Sequence, residues 1–569
     1  MEKTENTIFE PVQVPNKNWI KEPDRRQMDS SFFNSFKVPR DDKRIITLCR
    51  PFVVLSKNSY STPITLPLGL AYLGAVLEKA GYKCKIIDAT GESYPVKIRR
   101  SQDNKYNIQG LTAEEIIEKI DSNTFILGIT LMFSLEWFSH RFFIEKIKKK
   151  FPNIIIVVGG EHPSAIPEYV LRDCPSIDYI IRGEGEISML EFSYSIFSGR
   201  DVSKIPGLCF VDKDNKFRDN GLSKRIEHID TLPRPAWHLL KPKNYFNDFF
   251  TFGITSGRTM PILATRGCPY QCTFCSSPSM WTTRYIMREP KEIVNEIEWL
   301  KKEYDANNFE FFDLTAIIKR SWILDFCKEL TDRKIIDITW QLPVGTRSES
   351  LDEETLQALY DTGCRFIKYA PESGSEKSLN MIKKRVKLTR LNDSVKTANK
   401  IGHITSLNFI IGFPHETLID ILKTIFFGIY SAIRLGVADI NYSVFVPYPG
   451  SEIFENLVKE KKIQVTDSYL ETLHMQLDIT TSESYCENVS GKMLRFLRFL
   501  VFSLSYIAIY ISRPKRIVML IKNIFRKKFL ANNLFEQRVY DIYRRFKLNT
   551  AAFESSNPKK DESHPAEKH

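Results

Sequence analysis

Strand-like and helix-like patterns alternate twice along this chain, and no other feature limits its fold as sharply. The first block holds the apolar runs IITLC (45–49), CKIIDA (84–89), ILGITLM (126–132), IIIVVGG (154–160) and DYIIRGEGE (178–186). Between them lie segments of helical spacing, LPLGLAYLGAVLEKAGY (66–82), LTAEEIIEKI (111–120) and FFIEKIKKKF (142–151), and ISMLEFSYSIF (187–197) follows the last run. Thr112 with Glu115 three residues on forms a capping box that fixes one helix start. Near-continuous Ile, Val and Leu runs separated by helices predict a doubly wound α/β domain with a parallel, Rossmann-like sheet. Ligands of such sheets bind at the carboxyl ends of the strands. Glycine turns sit at two such ends, GG at 159–160 and GEGE at 183–186.

The second block contains PILATRG (261–267), FEFFD (309–313), ITWQLPV (338–344), RFIKYAPE (365–372), TSLNFIIGFP (405–414) and ADINYSVFVPYPG (438–450), again with helices between. Six β–α units predict a partial (β/α) barrel, since a complete TIM barrel has eight and usually ~250 residues. The reading divides the chain into a flexible arm (1–43), the first α/β domain (44–204), a hairpin and linker (205–255), the barrel (256–475), a basic helical region (476–550) and a disordered tail (551–569). Hydrophobic residues at 43% and charged residues at 26% are ordinary globular usage and exclude a disordered, fibrous or multi-span chain. Ten cysteines in 569 residues are too sparse for a disulfide scaffold. The polar opening MEKTENTIFEPVQ is not a signal peptide, so a cytoplasmic location with free thiols is expected. The longest uncharged apolar stretch, Phe499 to Ile511, falls short of the ~20 residues that span a bilayer.

Three thiols crowd into ATRGCPYQCTFCSSP (264–278), where Cys268, Cys272 and Cys275 form C-x3-C-x2-C directly after the first barrel strand. Four thiolates would complete a zinc tetrahedron or an iron–sulfur cube. Here no fourth Cys or His follows within 50 residues until Cys327. Three ligands to a [4Fe–4S] cluster leave one iron open, and the alternatives are a zinc knob or three unrelated thiols. With an aromatic, Phe274, before the third cysteine, the loop resembles the signature of the radical S-adenosylmethionine (SAM) superfamily. That resemblance implies that the open iron chelates SAM and that an electron cleaves it to a 5′-deoxyadenosyl radical. It also implies SAM contacts elsewhere. Glu372 and Ser373 lie in the turn APESGSE (370–376), Gly412 in NFIIGFPHET (408–417), and Asp313 at the end of FEFFD.

The first domain resembles the cobalamin-binding domain fused to many radical SAM enzymes. Gly159, Gly160 and Glu161, with Gly183 and Glu184, are the cobalamin residues this implies. Independently, glycines at strand ends let backbone approach a bulky ligand, and helix amino termini suit its phosphate. A plain scaffold without a site is the alternative. A nicotinamide site is disfavoured because no G-x-G-x-x-G follows the first strand. The D-x-H-x-x-G motif whose His ligates cobalt is absent, for the loop CRPFVVLSKNSYSTP after the first strand has no His; His162 reads as a hydrogen-bonded turn residue.

Lys and Arg number 81 against 69 Asp and Glu, a formal charge of +12. Ten of the basic residues, and no acidic one, lie between 488 and 535. This basic, apolar segment reads as a contact with a membrane surface or as a helical cap with solvated charges. No nucleic-acid module is recognisable. Taken whole, the chain resembles the group containing the anaerobic magnesium-protoporphyrin ester cyclases and hopanoid methylases. The resemblance implies a [4Fe–4S] cluster, SAM, cobalamin, a low-potential electron donor and a small hydrophobic substrate. The expected reaction is C-methylation of an unactivated carbon, with ring closure or oxidation without methyl transfer as the alternative.

Overall fold

The computed structural model describes residues 23–38, 42–59, 65–94, 97–101, 103–246, 252–254, 257–476, 478, 480, 483–524 and 535–536. Two sheets organise them. The amino-terminal sheet comprises β1 (Ile45–Arg50), β2 (Lys83–Asp88), β3 (Thr124–Thr130), β4 (Ile155–Gly159), β5 (Tyr179–Ile181), β6 (Leu208–Val211) and β7 (Phe217–Asp219). Its order is β7-β6-β5-β4-β3-β1-β2. Strands β1 to β5 run parallel, with Leu48 opposite both Ile86 and Gly128. The order 2-1-3-4-5 is flavodoxin-like, and its switch point lies between β1 and β3. The expected capping box forms: Thr112 N–H donates to Glu115 at 2.7 Å, and Glu115 N–H to the Thr112 hydroxyl at 3.1 Å.

The barrel is a six-stranded sheet of β8 (Thr259–Ile262), β9 (Asn308–Phe311), β10 (Thr339–Thr346), β11 (Cys364–Glu372), β12 (Ile404–Ile411) and β13 (Asp439–Val444). The strands pair in sequence order and all in parallel, as the six β–α units predict. Phe311, Phe326 and Trp340 fill the core with centroids 5.2–5.6 Å apart. Four helices matter below: α1 (Ser277–Trp281), α2 (Leu418–Tyr430), α3 (Gly491–Ile511) and α4 (Lys515–Ile524).

Several expectations are revised. The hairpin expected at 205–220 forms, β6 pairing β7 antiparallel, and it also extends the first sheet, since β6 pairs β5. The proline-rich stretch behind it is packed, with Trp237 fully buried and Ala236 N–H donating to the Ala71 carbonyl at 2.9 Å. Residues 23–38 of the expected flexible arm also dock: Phe32 and Phe33 are buried, and Asp24 bridges Ile226. Two adjacent phenylalanines anchor a segment without creating any periodicity, so sequence pattern misses them. A three-stranded antiparallel sheet (Val53–Ser56, Ile98–Arg100, Tyr106–Gln109) sits where the sequence reads as loop. The expected disordered tail, 551–569, lies outside the described residues.

Candidate active site

The cysteine loop leaves β8 at the carboxyl edge of the barrel. Gly267 turns it with φ +85°, a left-handed backbone where an added side chain would run into the Arg284 carbonyl. The loop closes on itself through Cys275 N–H to the Cys272 carbonyl, 3.1 Å. It is pinned by Thr273, whose N–H donates to Ile382 at 3.1 Å and whose carbonyl accepts from Ile453 N–H at 2.9 Å. Phe274 stacks obliquely on Phe413, 5.6 Å between centroids. That contact brings the aromatic before the third cysteine next to the chain at Gly412.

Cations gather around the thiols. Lys384, buried, pairs with Glu372 at 3.0 Å. Glu372 holds φ +70°, a rare backbone for a residue with a side chain. The Arg347 guanidinium lies 3.7 Å above the Tyr270 ring and donates to the Lys384 and Arg385 carbonyls at 3.0 and 2.7 Å. Neither Arg347 nor Lys384 stands out in the sequence; the run KKR at 383–385 after the E-S-G-S turn is the only hint. Asp313, two residues past the end of β9, is buried, and its carboxylate accepts from the Ala264 and Thr265 amides, so it holds the segment that leads to the cysteines. Burial pushes its carboxyl up to about 6. The Ser373 hydroxyl is engaged with Thr424 at 2.9 Å and with Ser375 N–H at 3.1 Å. Gly412 turns with φ +87°, and its open side faces Leu494 of α3 rather than the cysteines.

The first sheet presents its carboxyl edge to this loop. Gly160 adopts φ +111°, and a Cβ there would stand 2.5 Å from the Leu131 carbonyl. Beyond it, the half-buried carboxylate of Glu161 accepts from Ser276, the neighbour of Cys275. Its pKa is raised by burial. Gly183 approaches the carbonyl of Met280 in α1. Glu184 accepts from Arg225 Nε and from Ile226 N–H, both at 2.7 Å. Arg266, two residues before Cys268, reaches back to Glu186 at 2.6 Å and lies 3.8 Å from Glu184. Of the five expected cobalamin residues, Glu161 and Glu184 thus hold the seam between domains, a role that sequence spacing does not reveal.

The residues present fit the cofactors. Among the described residues no three His, Cys, Asp or Glu side chains converge on a single ion. Burial raises the pKa of all three cysteines, and each lies within electrostatic reach of another. Such thiols need a metal to become thiolates, and their spread suits a cluster better than one zinc. Thr90 Oγ1 after β2, His162 Nε2 after β4 and Gln109 Oε1 in the small antiparallel sheet are buried without hydrogen-bond partners. Such unmet polar groups, with Met132 and Phe133 exposed after β3, suit an amide-rich, bulky ligand. His162 gives its other ring nitrogen to the Ser134 hydroxyl at 2.9 Å, and His140 bonds the Phe52 carbonyl at 2.9 Å.

Comparison with known proteins agrees. Residues 60–193 match the B12 binding domain family and residues 262–428 the radical SAM superfamily. An uncharacterized methyltransferase of Pyrococcus horikoshii is 29% identical over 81% of this chain and 90% of its own length. The cytidylyl-2-hydroxyethylphosphonate methyltransferase of Streptomyces wedmorensis is 25% identical over 72% of this chain and 81% of its own. The anaerobic magnesium-protoporphyrin IX monomethyl ester cyclase of Rubrivivax gelatinosus is 27% identical over 70% and 67%. In fold, the chain resembles the radical SAM methyltransferase TsrM of Kitasatospora setae with cobalamin and [4Fe–4S] bound, with TM-score 0.56, 18% identity and coverage of 74% and 78%. It also resembles the apo form of the cobalamin-dependent SAM radical enzyme OxsB, with TM-score 0.60, 15% identity and coverage of 88% and 75%. With a B12-binding sheet joined to a radical SAM barrel through the cysteine loop, this chain is a cobalamin-dependent radical SAM enzyme.

Proposed function

We propose that the protein transfers a methyl group to an unactivated carbon of a hydrophobic substrate, a lipid, tetrapyrrole or natural product. The seam carries this reading: Glu161 bonds Ser276 beside Cys275, so the edge of the B12-binding sheet abuts the cysteine loop with no domain between them. When bound, the cluster and SAM supply the means to remove a hydrogen atom from carbon, and cobalamin supplies the methyl group. The chain's own side chains do the positioning. Asp313 fixes the entry to the loop, and the Glu372–Lys384 and Arg347–Tyr270 pairs wall its cationic side. The exposed apolar residues Met132, Phe133 and Leu314, at the carboxyl edges of both sheets, support an apolar substrate. Two relatives are named methyltransferases. A second reading, ring closure or oxidation without methyl transfer, is favoured by the relative named a cyclase. An external low-potential donor is needed in either case.

The test is anaerobic. The protein is loaded with iron, sulfide and cobalamin and given SAM and a strong reductant; S-adenosylhomocysteine and 5′-deoxyadenosine are then quantified. Both products are expected. Deoxyadenosine without S-adenosylhomocysteine would refute methyl transfer and favour the second reading.

A further inference from the structure

Helix α3 is apolar on two faces. One is buried: Leu494, Leu497, Val501 and Ile509 pack inward, and the buried Arg498 donates to the carbonyls of Tyr442, Met475, Gln476 and Asp478. The other looks outward, where Phe496, Leu500, Leu504, Ile507 and Ile511 recur at three- and four-residue spacing, with Phe499 exposed beside them. Phe499 is 69% exposed and Ile511 73%. An inward apolar face is explained by the barrel; an outward one is not.

The outward face continues onto its neighbours. Helix α2 and the turn after it expose Ile419, Phe426, Tyr430 and Ile433, with Phe426 at 67%. Helix α4 exposes Ile517, Val518, Met519 and Ile521. The three segments are far apart in sequence order only at α2, and α2 packs directly on α3. The rim of this surface is basic. Lys423, Arg434, Lys492, Arg495, Lys515 and Lys522 are exposed there. Among the described residues none of the six pairs with a carboxylate, and residues 488–535 contain no acidic residue at all. Arg513, between α3 and α4, donates to the Ala432 carbonyl at 3.2 Å and to the Ser512 hydroxyl, and Arg516, in the first turn of α4, donates to the Gly436 and Val437 carbonyls at 2.8 Å. Burial, with Arg513 beside it, lowers Arg516 to about 10.

We propose that α2, α3 and α4 together form a face that docks on the surface of an anionic lipid bilayer. An apolar stripe rimmed by cations at both ends is the chemistry of an interfacial helix, which sinks its apolar side chains between acyl chains and meets headgroup phosphates with its rim. Self-association fits less well, since a two-fold contact would set the uncompensated cations of two copies against each other. Helix α3 is the one described helix long and apolar enough to cross a membrane. Its buried face and Arg498 fasten it to the barrel, so it lies on the bilayer rather than through it.

Flotation of the cofactor-loaded full chain tests this, with vesicles of phosphatidylglycerol and phosphatidylcholine compared with phosphatidylcholine alone. Binding to the anionic vesicles is expected, at least tenfold weaker on the neutral ones. The triple variant Phe496→Ser, Phe499→Ser, Ile507→Ser changes only exposed side chains and should bind at least tenfold more weakly with an unchanged unfolding midpoint. Lys515→Glu with Lys522→Glu should abolish the preference for anionic lipid. Recovery of the wild type in the soluble fraction with both vesicle types would overturn the proposal. So would equal flotation of the serine variant, or a stable dimer in sizing experiments that the serine variant splits.

Discussion

Arg266→Met tests the seam between the two domains. The Arg266 guanidinium is buried, 2.6 Å from Glu186 and 3.8 Å from Glu184. At an effective dielectric of about 20 these contacts correspond to gross attractions of about 6 and about 4 kcal/mol. Desolvation consumes much of that, as Arg266 Nε and Nη1 lack hydrogen-bond partners. Removing the cation leaves Glu184 satisfied by Arg225 and Ile226 but strips Glu186 of its charge partner. Breaking one side of a buried pair costs about 3–5 kcal/mol, because the other charge stays buried. Arg266→Met should therefore destabilise by about that amount in urea unfolding at neutral pH. Adding Glu186→Leu should recover most of the loss. A cost below about 1 kcal/mol for Arg266→Met, the value of an exposed pair, would refute the account of a buried seam.

Four further outcomes follow from the site. Replacing Cys268, Cys272 or Cys275 with Ala should lower reconstituted iron and abolish 5′-deoxyadenosine; undiminished iron in all three variants would exclude them as ligands. Lys384→Met removes the cation that acts most strongly on Cys272 and should make the cluster harder to reduce, by about 60 mV for a tenfold effect, measurable by redox titration. Gly160→Ala forces a side chain into a left-handed backbone, about 1–3 kcal/mol before the clash with the Leu131 carbonyl is counted, and should weaken cobalamin retention on gel filtration. Asp313 has its folded-state carboxyl pushed up to about 6 by burial, above the unfolded range. Between about pH 4 and 6 the folded state binds the extra proton, so this group's contribution is present below pH 4 and lost as pH rises through 6, about 3 kcal/mol in all. Asp313→Asn should flatten that part of the unfolding-midpoint profile of the apoprotein.

What the sequence revealed and what it hid divide along physical lines. The parallel strands were legible because buried runs such as IIIVVGG and TSLNFIIGFP carry their burial in their composition. The cysteine loop was legible because its three cysteines are local, all within eight residues. Glu161, Glu184 and Arg266 look like turn residues in sequence, yet their partners are Ser276, Arg225 and Glu186, between 41 and 115 positions away. No periodicity records such a pairing. Lys384 and Arg347 were hidden for the same reason, since each gains meaning only from the loop it surrounds. The outward face of α3 was hidden differently. Helical spacing marks apolar positions but does not say which apolar stripe a neighbour covers, and Lys492, Arg495 and Arg498 break the apolar run without ending the helix.

The seam's chemistry bears on the reaction as well as on stability. Apolar side chains of equal volume often replace a buried ion network with no loss of stability. What the buried network at the joint between the two domains can add beyond stability is register. Arg266 accepts few arrangements relative to Glu184 and Glu186, whereas an apolar joint accepts many. Arg266 is also two residues from Cys268, so its register is that of the cysteine loop against the B12-binding sheet. The double variant Arg266→Met, Glu186→Leu separates the two roles. It should match the wild type in urea unfolding within about 1–2 kcal/mol. On the proposed methyl-transfer reading, in turnover it should release more 5′-deoxyadenosine per S-adenosylhomocysteine than the wild type, because hydrogen abstraction would need only the barrel while methyl transfer would need both sites aligned. An unchanged product ratio at unchanged stability would mean that the joint tolerates an apolar contact, and that register comes from the Glu161–Ser276 bond instead.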